Sequence, residues 1–394
     1  MSTRARNAVA VSFLLNGFGF ASWVSRIPET RARLHLDNGQ LGLLLLCISV
    51  GSLAAMPSAG VLIDRLGTAA VVRVGTVADV AGLVVVTVGV AAWQAWWLTG
   101  LGLLVYGLGV GIWDVAMNVE GAAVEQRLGR TVMPRFHAAF SGGTVLAAGV
   151  GALAELLGVP IWVHLPVVAL LLLAGSLGSV GRFLPEAERV AAHGPQDADD
   201  ASFGRSRAWL ERRTLLVGVM VLALALTEGT ANDWLAVALQ DGYDAPRWLA
   251  VTGFAGFVSA MTLGRLVGPG LLDRFGRVSV LWATMAAAAV GVLLIVFGGQ
   301  LVAGPVLVVA GIVLWGVGAS LGFPVGMSAA ADEPRRAAAR VSVVSTIGYT
   351  AFLAGPPLLG FVGNQVGTLR ALLVVAVLLV PAAIVVPAAR QPRS

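Results

Sequence analysis

The sequence GVLIDRLG at residues 60–67 returns in the second half of the chain as LLDRFGR at residues 271–277, and this repeat decides how the chain is organised. Each copy follows a long apolar segment, Leu41–Ile63 in one case and Leu249–Leu272 in the other. An acidic and a basic residue followed by glycine are typical of a short polar turn between two helices. A turn that recurs once per half predicts two halves of parallel topology.

The composition indicates a polytopic helical membrane protein. Of 394 residues 57% are hydrophobic and 12% are charged, against roughly 25% charged in soluble proteins. Apolar runs near 20 residues exclude a membrane β-barrel, whose strands alternate in polarity. The net charge of +5 comes from arginines in short loops, so nucleic acid is not expected as a partner. The lipid bilayer is the expected partner.

Twelve apolar segments predict an all-α membrane protein with twelve transmembrane helices in two pseudo-symmetric six-helix halves. We expect residues 1–183 to form the N-terminal half, residues 184–211 a cytoplasmic linker and residues 212–394 the C-terminal half. The N-terminal segment is predicted to be an uncleaved first helix. The segments are Ala8–Val24, Leu41–Ile63, Ala69–Ala92, Trp97–Val124, Phe136–Leu157, Ile161–Val180, Leu215–Leu239, Leu249–Leu272, Val278–Phe297, Val302–Ala330, Val341–Val362 and Leu369–Val386.

The distribution of basic residues predicts the orientation. All 26 are arginines, and 21 of them fall in the termini and in the loops that follow even-numbered segments. The opposite side keeps Arg26, Arg31, Arg33, Arg247 and Arg370. By the positive-inside rule, both termini are expected in the cytoplasm.

The fourth segment contains an acid and an amide on one helical face. Asp114 and Asn118 are four residues apart within Tyr106–Glu125. An ionisable group inside a membrane helix is costly and commonly marks a pathway for protons or solute. Asp114 is therefore a predicted proton-coupling residue and Asn118 a predicted solute-binding residue, with a structural hydrogen bond between helices as the alternative.

The other predicted site residues also have structural explanations as alternatives to a functional role. Glu228, His137 and Glu120 are further candidates for proton coupling, although a static salt-bridged gate explains the last two equally well. The remaining predicted solute-binding residues have packing, a solvated rim or an outer entrance as alternatives, and Asp79 has no assigned role. They are Asn16, Arg26, Asn232, Asp233, Trp234, Trp315 and Tyr349.

The chain resembles the major facilitator superfamily, whose turn signature Gly-x-x-x-Asp-Arg-x-Gly matches residues 60–67. The resemblance covers both halves and implies a cytoplasmic gate made of Asp64, Arg65, Gly67, Asp273, Arg274 and Gly276. Within the superfamily it resembles the fucose-permease-like group through Trp23–Pro28, Asp114–Glu120, Phe136–His137, Glu228–Trp234 and Gly348–Pro357. Thr68 and Ala69 stand where the signature continues with basic residues, and Val119 stands where fucose permeases have proline.

The resemblance implies alternating access by a secondary transporter, and we expect proton-coupled symport of a small polar solute, sugar-like or carboxylate-bearing, across the cell inner membrane. Proton-coupled efflux of an amphipathic metabolite or drug is the alternative. An enzyme is not expected, because no metal spacing, nucleophile elbow or phosphate loop is present. No cofactor or metal is predicted, Cys47 is the single cysteine, and the chain is expected to act as a monomer.

Overall fold

The computed structural model of the protein describes residues 2–129, 132–185, 208–333 and 336–391. Within these ranges every regular element is helical. In chain order the elements are α1 (Ser2–Val24), α2 (Ile27–Arg33), α3 (Asn38–Ala91), α4 (Trp96–Leu128), α5 (Met133–Leu156), α6 (Ile161–Val180), α7 (Arg212–Tyr243), α8 (Arg247–Phe275), α9 (Arg277–Gly298), α10 (Gly304–Ala319), α11 (Gly322–Ala330), α12 (Ala337–Val366), α13 (Thr368–Ala371) and α14 (Leu373–Val385), followed by a 3-10 turn (Val386–Ala389).

The twelve-helix fold predicted from the sequence is confirmed once the longest helix is divided. Eleven helical stretches in the described residues are long and apolar enough to cross a membrane. One of them, α3, has 54 residues, or about 80 Å at 1.5 Å per residue. That is more than twice the ~30 Å of hydrocarbon in a bilayer. The chain bends at Gly67, where the backbone is not helical, so α3 is two spans.

The two copies of the repeated turn have the same backbone geometry. Gly67 has φ 78° and ψ 156°, and Gly276 has φ 76° and ψ 160°. Side chains with a Cβ atom rarely adopt this conformation, so glycine is required at both positions. The repeat seen in the sequence is therefore also a repeat of structure.

The chain divides into two compact units. Unit 1 comprises Met1–Gln196 together with Arg247–Thr252, and unit 2 comprises Asp197–Pro246 together with Gly253–Ser394. Most of the predicted linker at 184–211 lies outside the described residues, which resume at residue 208. The assignment of a linker there stays a prediction.

Small residues bring the helices of unit 1 into close contact. A methyl group added at Gly107 of α4 would overlap the carbonyl oxygen of Ile48 in α3, and one at Gly51 would overlap that of Leu104. Because lipid tails are as apolar as leucine, such close van der Waals packing is what holds membrane helices together. A polar contact reinforces it, since Trp113 Nε1 donates to Ser12 Oγ at 2.8 Å.

Two neighbouring glycines of α5 give a matched test of this packing. A methyl group at Gly143 would overlap the carbonyl oxygen of Leu14 in α1, whereas one at Gly142 would meet no atom within 4 Å. We expect Gly143→Ala to destabilise unit 1 by about 1–3 kcal/mol through overpacking, and Gly142→Ala to be nearly neutral. Thermal unfolding in detergent measures both, and equal midpoints for the two variants would contradict the packing.

Unit 2 contains one broken membrane helix. The predicted segment Val302–Ala330 is two helices, α10 and α11, separated by Ser320 and Leu321. Pro324 lies four residues after Ser320 and has no N–H, so it cannot donate the helical hydrogen bond to the Ser320 carbonyl. The break leaves that carbonyl oxygen available to a side chain.

Candidate functional site

Asp114 and Asn118 meet on α4 as their spacing predicted. Asn118 Nδ2 donates to the Asp114 carbonyl oxygen at 2.8 Å and lies 3.3 Å from Asp114 Oδ1. Both side chains are partly exposed. Asp114 forms no ion pair with any residue that the structure describes. The arrangement places a carboxyl group in an apolar helix with one amide beside it. A proton-coupling role for Asp114 stays a prediction.

Glu120, six residues after Asp114 on α4, has a different environment. It is fully buried, and its two oxygens accept hydrogen bonds from Thr68 Oγ1 at 2.6 Å and from the Leu184 backbone N–H at 2.7 Å. These contacts link α4 to the turn after Gly67 and to the chain after α6. A proton-relay role for Glu120 stays a prediction, and the contacts describe a brace between elements.

His137 and Asn16 lie on α5 and α1. The His137 side chain is exposed and its ring stands edge-on to Phe13, with centroids 5.1 Å apart. Asn16 is buried, and its Nδ2 has no hydrogen-bond partner among the described residues. A buried amide donor without a partner costs free energy, so Asn16 stays a predicted solute contact.

Arg26 lies at the centre of a buried ion cluster in unit 1. Its Nη1 contacts Glu29 Oε2 at 2.9 Å and Glu155 Oε1 at 2.6 Å, and its Nε donates to His164 Nδ1 at 2.8 Å. The Arg26 side chain is only 1% exposed. Arg33 completes the cluster by contacting Glu29 Oε1 at 2.7 Å. In this conformation the Arg26 guanidinium neutralises two buried carboxylates, and its predicted contact with solute stays untested.

Asp79 and Tyr106 bring two further polar groups into the interior of unit 1. Both side chains are buried, and neither Asp79 Oδ1 nor the Tyr106 hydroxyl has a hydrogen-bond partner among the described residues. The α3 backbone at Asp79 lies close enough to Gly109 of α4 that a methyl group there would overlap it. Both residues therefore lie at the packed contact between α3 and α4.

Glu228 of α7 has a partner that the sequence did not suggest. Arg265 Nη2 contacts both Glu228 oxygens at 3.0 Å, and Arg265 Nε donates to the Ser320 carbonyl oxygen at 3.3 Å. That is the carbonyl released by Pro324. The side chains of Arg265 and Glu228 are 27% and 20% exposed, so the pair is far more accessible than Arg26.

The other predicted residues of unit 2 divide by exposure. Trp234 and Trp315 are buried, with no partner for either indole N–H in the described part of the chain, and Asn232 is also buried. Asp233 is partly exposed. Tyr349 is partly exposed too, and it packs beside Phe323 and Phe352. Phe352 in turn lies against the α7 backbone at Gly229, next to Glu228.

The predicted gate residues lie at the two repeated turns, whose glycines Gly67 and Gly276 both have positive φ. Asp64, Arg65, Asp273 and Arg274 are all exposed. The Arg274 guanidinium lies over the ring of Phe275, 5.0 Å from its centroid. A gating role for these residues stays a prediction.

An acidic residue outside the membrane helices links their ends in unit 2. Glu211 precedes α7 and accepts hydrogen bonds from Arg340 Nε at 2.6 Å and Thr214 Oγ1 at 2.9 Å. Burial raises the pKa of this carboxyl, but these hydrogen bonds and the charges of Arg340 and Arg336 outweigh burial and lower it overall. The charged form of Glu211 therefore stabilises the fold.

The lowered pKa of Glu211 predicts an acid-sensitive contribution to stability. The stabilisation is fully present above the unfolded-state pKa of ~4.3 and is lost as pH falls through the folded-state value. Because the site is largely solvated, we expect less than ~1 kcal/mol. Melting temperatures of wild type and Glu211→Gln should differ at neutral pH and converge as the pH falls below ~4.3. A constant offset for Glu211→Gln would contradict this account.

Comparison with known proteins places the chain in a family. The model of the Major Facilitator Superfamily matches residues 9–336. The chain belongs to this superfamily. An MFS-type transporter of Yersinia pestis is 34% identical over 373 residues, which cover 94% of this chain and 91% of the relative. The resemblance to the superfamily is thus confirmed, and the assignment is to a membrane transporter rather than to an enzyme.

Solved structures show the same fold. The nucleoside transporter NupG has a TM-score of 0.79 at 16% identity, covering 99% of this chain and 100% of its own. A single-substitution variant of the Escherichia coli fucose:proton symporter FucP has a TM-score of 0.62 at 18% identity, covering 98% of both chains. Transporters of this superfamily bind small-molecule solutes, and this chain is a multi-pass membrane transporter.

Four charged or titratable residues of these clusters were missed from sequence: Arg265, Glu29, Glu155 and His164. Arg265 was detectable, because it lies inside the predicted segment Leu249–Leu272 and a membrane arginine needs a counter-charge. Glu29, Glu155 and His164 could not be identified singly. A buried Arg26 would need acidic partners, but the sequence does not show that Arg26 is buried. No group of three His, Cys, Asp or Glu side chains able to hold a metal occurs in the described ranges.

Proposed function

We propose that this chain is a proton-coupled symporter of a small polar solute, sugar-like or carboxylate-bearing, and that it works by alternating access. We place it in the cell inner membrane as a monomer with both termini in the cytoplasm. The observation that carries the proposal is Asp114, a carboxyl group in an apolar helix whose only side-chain partner among the described residues is Asn118. A carboxyl group without a counter-charge inside a membrane helix is costly, and such groups commonly mark a pathway for protons or solute.

The two units offer different chemistry for coupling. In unit 1, Asp114 has no counter-charge among the described residues, so its protonation removes an isolated negative charge. In unit 2, Glu228 has a counter-charge in Arg265, so its protonation releases an arginine. A proton and a solute can then influence each other through charge, which is what coupled transport requires.

The structural relatives support the choice of a polar solute. FucP is a fucose:proton symporter and NupG a nucleoside transporter, and both solutes carry several hydroxyl groups. Asn118, Asn232 and Asn16 give this chain amide groups of the kind that bind hydroxyls. Sugars and hydroxy acids are therefore the first solutes to test.

Thermal-shift screening identifies the solute. A ligand that binds the folded state raises its melting temperature by mass action. The purified protein is tested with sugars, nucleosides, carboxylates and amphipathic drugs at two pH values. Small polar ligands whose shift changes with pH support symport, whereas hits confined to amphipathic compounds favour efflux.

The substitution Glu228→Gln tests whether unit 2 contributes to the coupling of proton and solute transport. The substitution removes the charge and leaves the size of the side chain almost unchanged, so Arg265 loses its carboxylate partner. A hydrogen bond to a charged group contributes roughly 1.5–3 kcal/mol, equivalent to about tenfold or more in an equilibrium constant. We expect solute affinity to change by at least that factor and proton-driven uptake to be lost.

The control for Glu228→Gln is Glu333→Gln, which neutralises an acid that is 47% exposed. It should leave uptake within twofold of wild type. Unchanged affinity together with unchanged uptake in Glu228→Gln would remove Glu228 from the site.

A further inference from the structure

Arg265 lies within the membrane helix α8 and not in a loop at its end. It lies about 15 Å along α8 from the last residue, Phe275, at 1.5 Å per residue. Its neighbours Leu263, Leu266 and Val267 are apolar and exposed on the helix surface. A guanidinium in such a segment needs acceptors to replace the water it loses.

The acceptors it has satisfy only part of the guanidinium. Nε donates to the Ser320 carbonyl oxygen and Nη2 contacts Glu228. Arginine has five N–H donors, and Nη1 forms no hydrogen bond with any described residue. The two N–H donors of Nη1 are therefore open.

The contact with Glu228 is also of an unusual kind. Both carboxylate oxygens lie 3.0 Å from the same nitrogen, Nη2. The stronger arrangement of arginine and carboxylate uses two nitrogens and two parallel hydrogen bonds. Because Nη1 is open, that arrangement is available to a second carboxylate approaching the Nη1–Nη2 edge.

The backbone fixes the position of the guanidinium independently of Glu228. Pro324 frees the Ser320 carbonyl by lacking an N–H, and Arg265 Nε is held by it. A methyl group at Gly264 would overlap Ser320 Oγ, so α8 lies directly against the break between α10 and α11. When Glu228 moves away, Arg265 keeps this anchor.

We propose that Arg265 binds the carboxylate group of the transported solute, and that a proton on Glu228 releases Arg265 for this purpose. The proposal rests on the transport function proposed above and names the class of solute. The charges balance, because one proton neutralises Glu228 and one anionic solute replaces its charge beside Arg265. A carboxylate is favoured over a larger anion because a carboxylate already occupies the position.

The test uses pyruvate, a small carboxylate that stays ionised in mild acid, and its neutral counterpart pyruvamide. In purified Glu228→Gln the guanidinium is released, so pyruvate should raise the melting temperature with an apparent affinity at least tenfold higher than in wild type at neutral pH. Pyruvamide should not. Adding Arg265→Gln should abolish the response, and adding the exposed control Arg73→Gln should leave it unchanged.

Wild-type protein gives a second, independent readout. Its response to pyruvate should strengthen as pH falls from neutral to mildly acidic, and Arg265→Gln alone should remove that dependence. The proposal is overturned if pyruvate and pyruvamide act alike, if the response survives Arg265→Gln, or if only phosphate binds. Pyruvate binding without proton-driven solute uptake would instead refute the function and leave the anion site standing.

Discussion

Replacing Asp114 by asparagine is expected to abolish proton-driven accumulation of solute while leaving the protein folded. The two side chains have nearly the same shape, and the hydrogen bond from Asn118 to the carbonyl of residue 114 does not depend on the carboxyl group. Asparagine cannot carry a proton at this position. One proton per solute allows a pH gradient of one unit to drive about tenfold accumulation, since one unit equals 1.36 kcal/mol. In the variant the accumulation ratio should fall to one.

The experiment compares two transport modes in proteoliposomes. Accumulation under an imposed pH gradient requires coupling, whereas exchange of labelled for unlabelled solute without a gradient does not. Asp114→Asn should lose the first and keep the second. Asp244→Asn, an exposed acid after α7, should keep both. Accumulation at the wild-type level in Asp114→Asn would show that the proton is carried elsewhere.

Replacing Arg26 by glutamine is expected to cause the largest loss of stability of any single substitution considered. The side chain is the common partner of Glu29, Glu155 and His164. Removing one partner of a buried ion pair costs about 3–5 kcal/mol. Here two carboxylates lose the same partner, and among the described residues each keeps only a more exposed arginine, Arg33 at 2.7 Å from Glu29 and Arg247 at 3.5 Å from Glu155. Arg26→Lys should recover only part of the loss, because an ammonium group lacks the planar fork that contacts three side chains.

The matched control is Arg33→Gln. Arg33 contacts only the Glu29 carboxylate among the salt bridges of the described residues, and its side chain is 29% exposed, so the loss should be at most ~1 kcal/mol. Unfolding of unit 1 is followed through the reaction of Cys47 with a thiol dye, since this is the single cysteine and it lies in α3. If Arg26→Gln instead keeps its melting temperature and loses solute affinity, Arg26 binds solute as the sequence suggested.

The fold was predictable from sequence because the constraints on membrane helices are strong and local. A segment of about 20 apolar residues has few alternatives to a spanning helix. The turn at Gly67 and its copy at Gly276 required glycine for backbone reasons that act within a few residues. The break after Ala319 was missed, although Pro324 signals it, since α10 and α11 are both apolar and read as one segment.

The partners within the site were much less predictable. Arg265 is one of the 21 arginines that the positive-inside argument assigned to cytoplasmic regions. The structure corrects its position, because it lies inside α8 beside Glu228. Counting charges near helix ends does not reveal a counter-charge 37 residues earlier in the chain. The same holds for Arg26 and Glu155, which are 129 residues apart. Such pairs depend on helix packing, and a single sequence carries no direct record of which helix faces meet.

The measurement that tests proton-coupled symport most directly is proton movement on addition of solute. Proteoliposomes carrying a pH-sensitive dye are given a solute identified by the thermal-shift screen, with no gradient imposed. Proton-coupled symport predicts acidification of the interior with wild-type protein and none with Asp114→Asn. Solute uptake without any proton movement, or proton movement outward as solute enters, would contradict it.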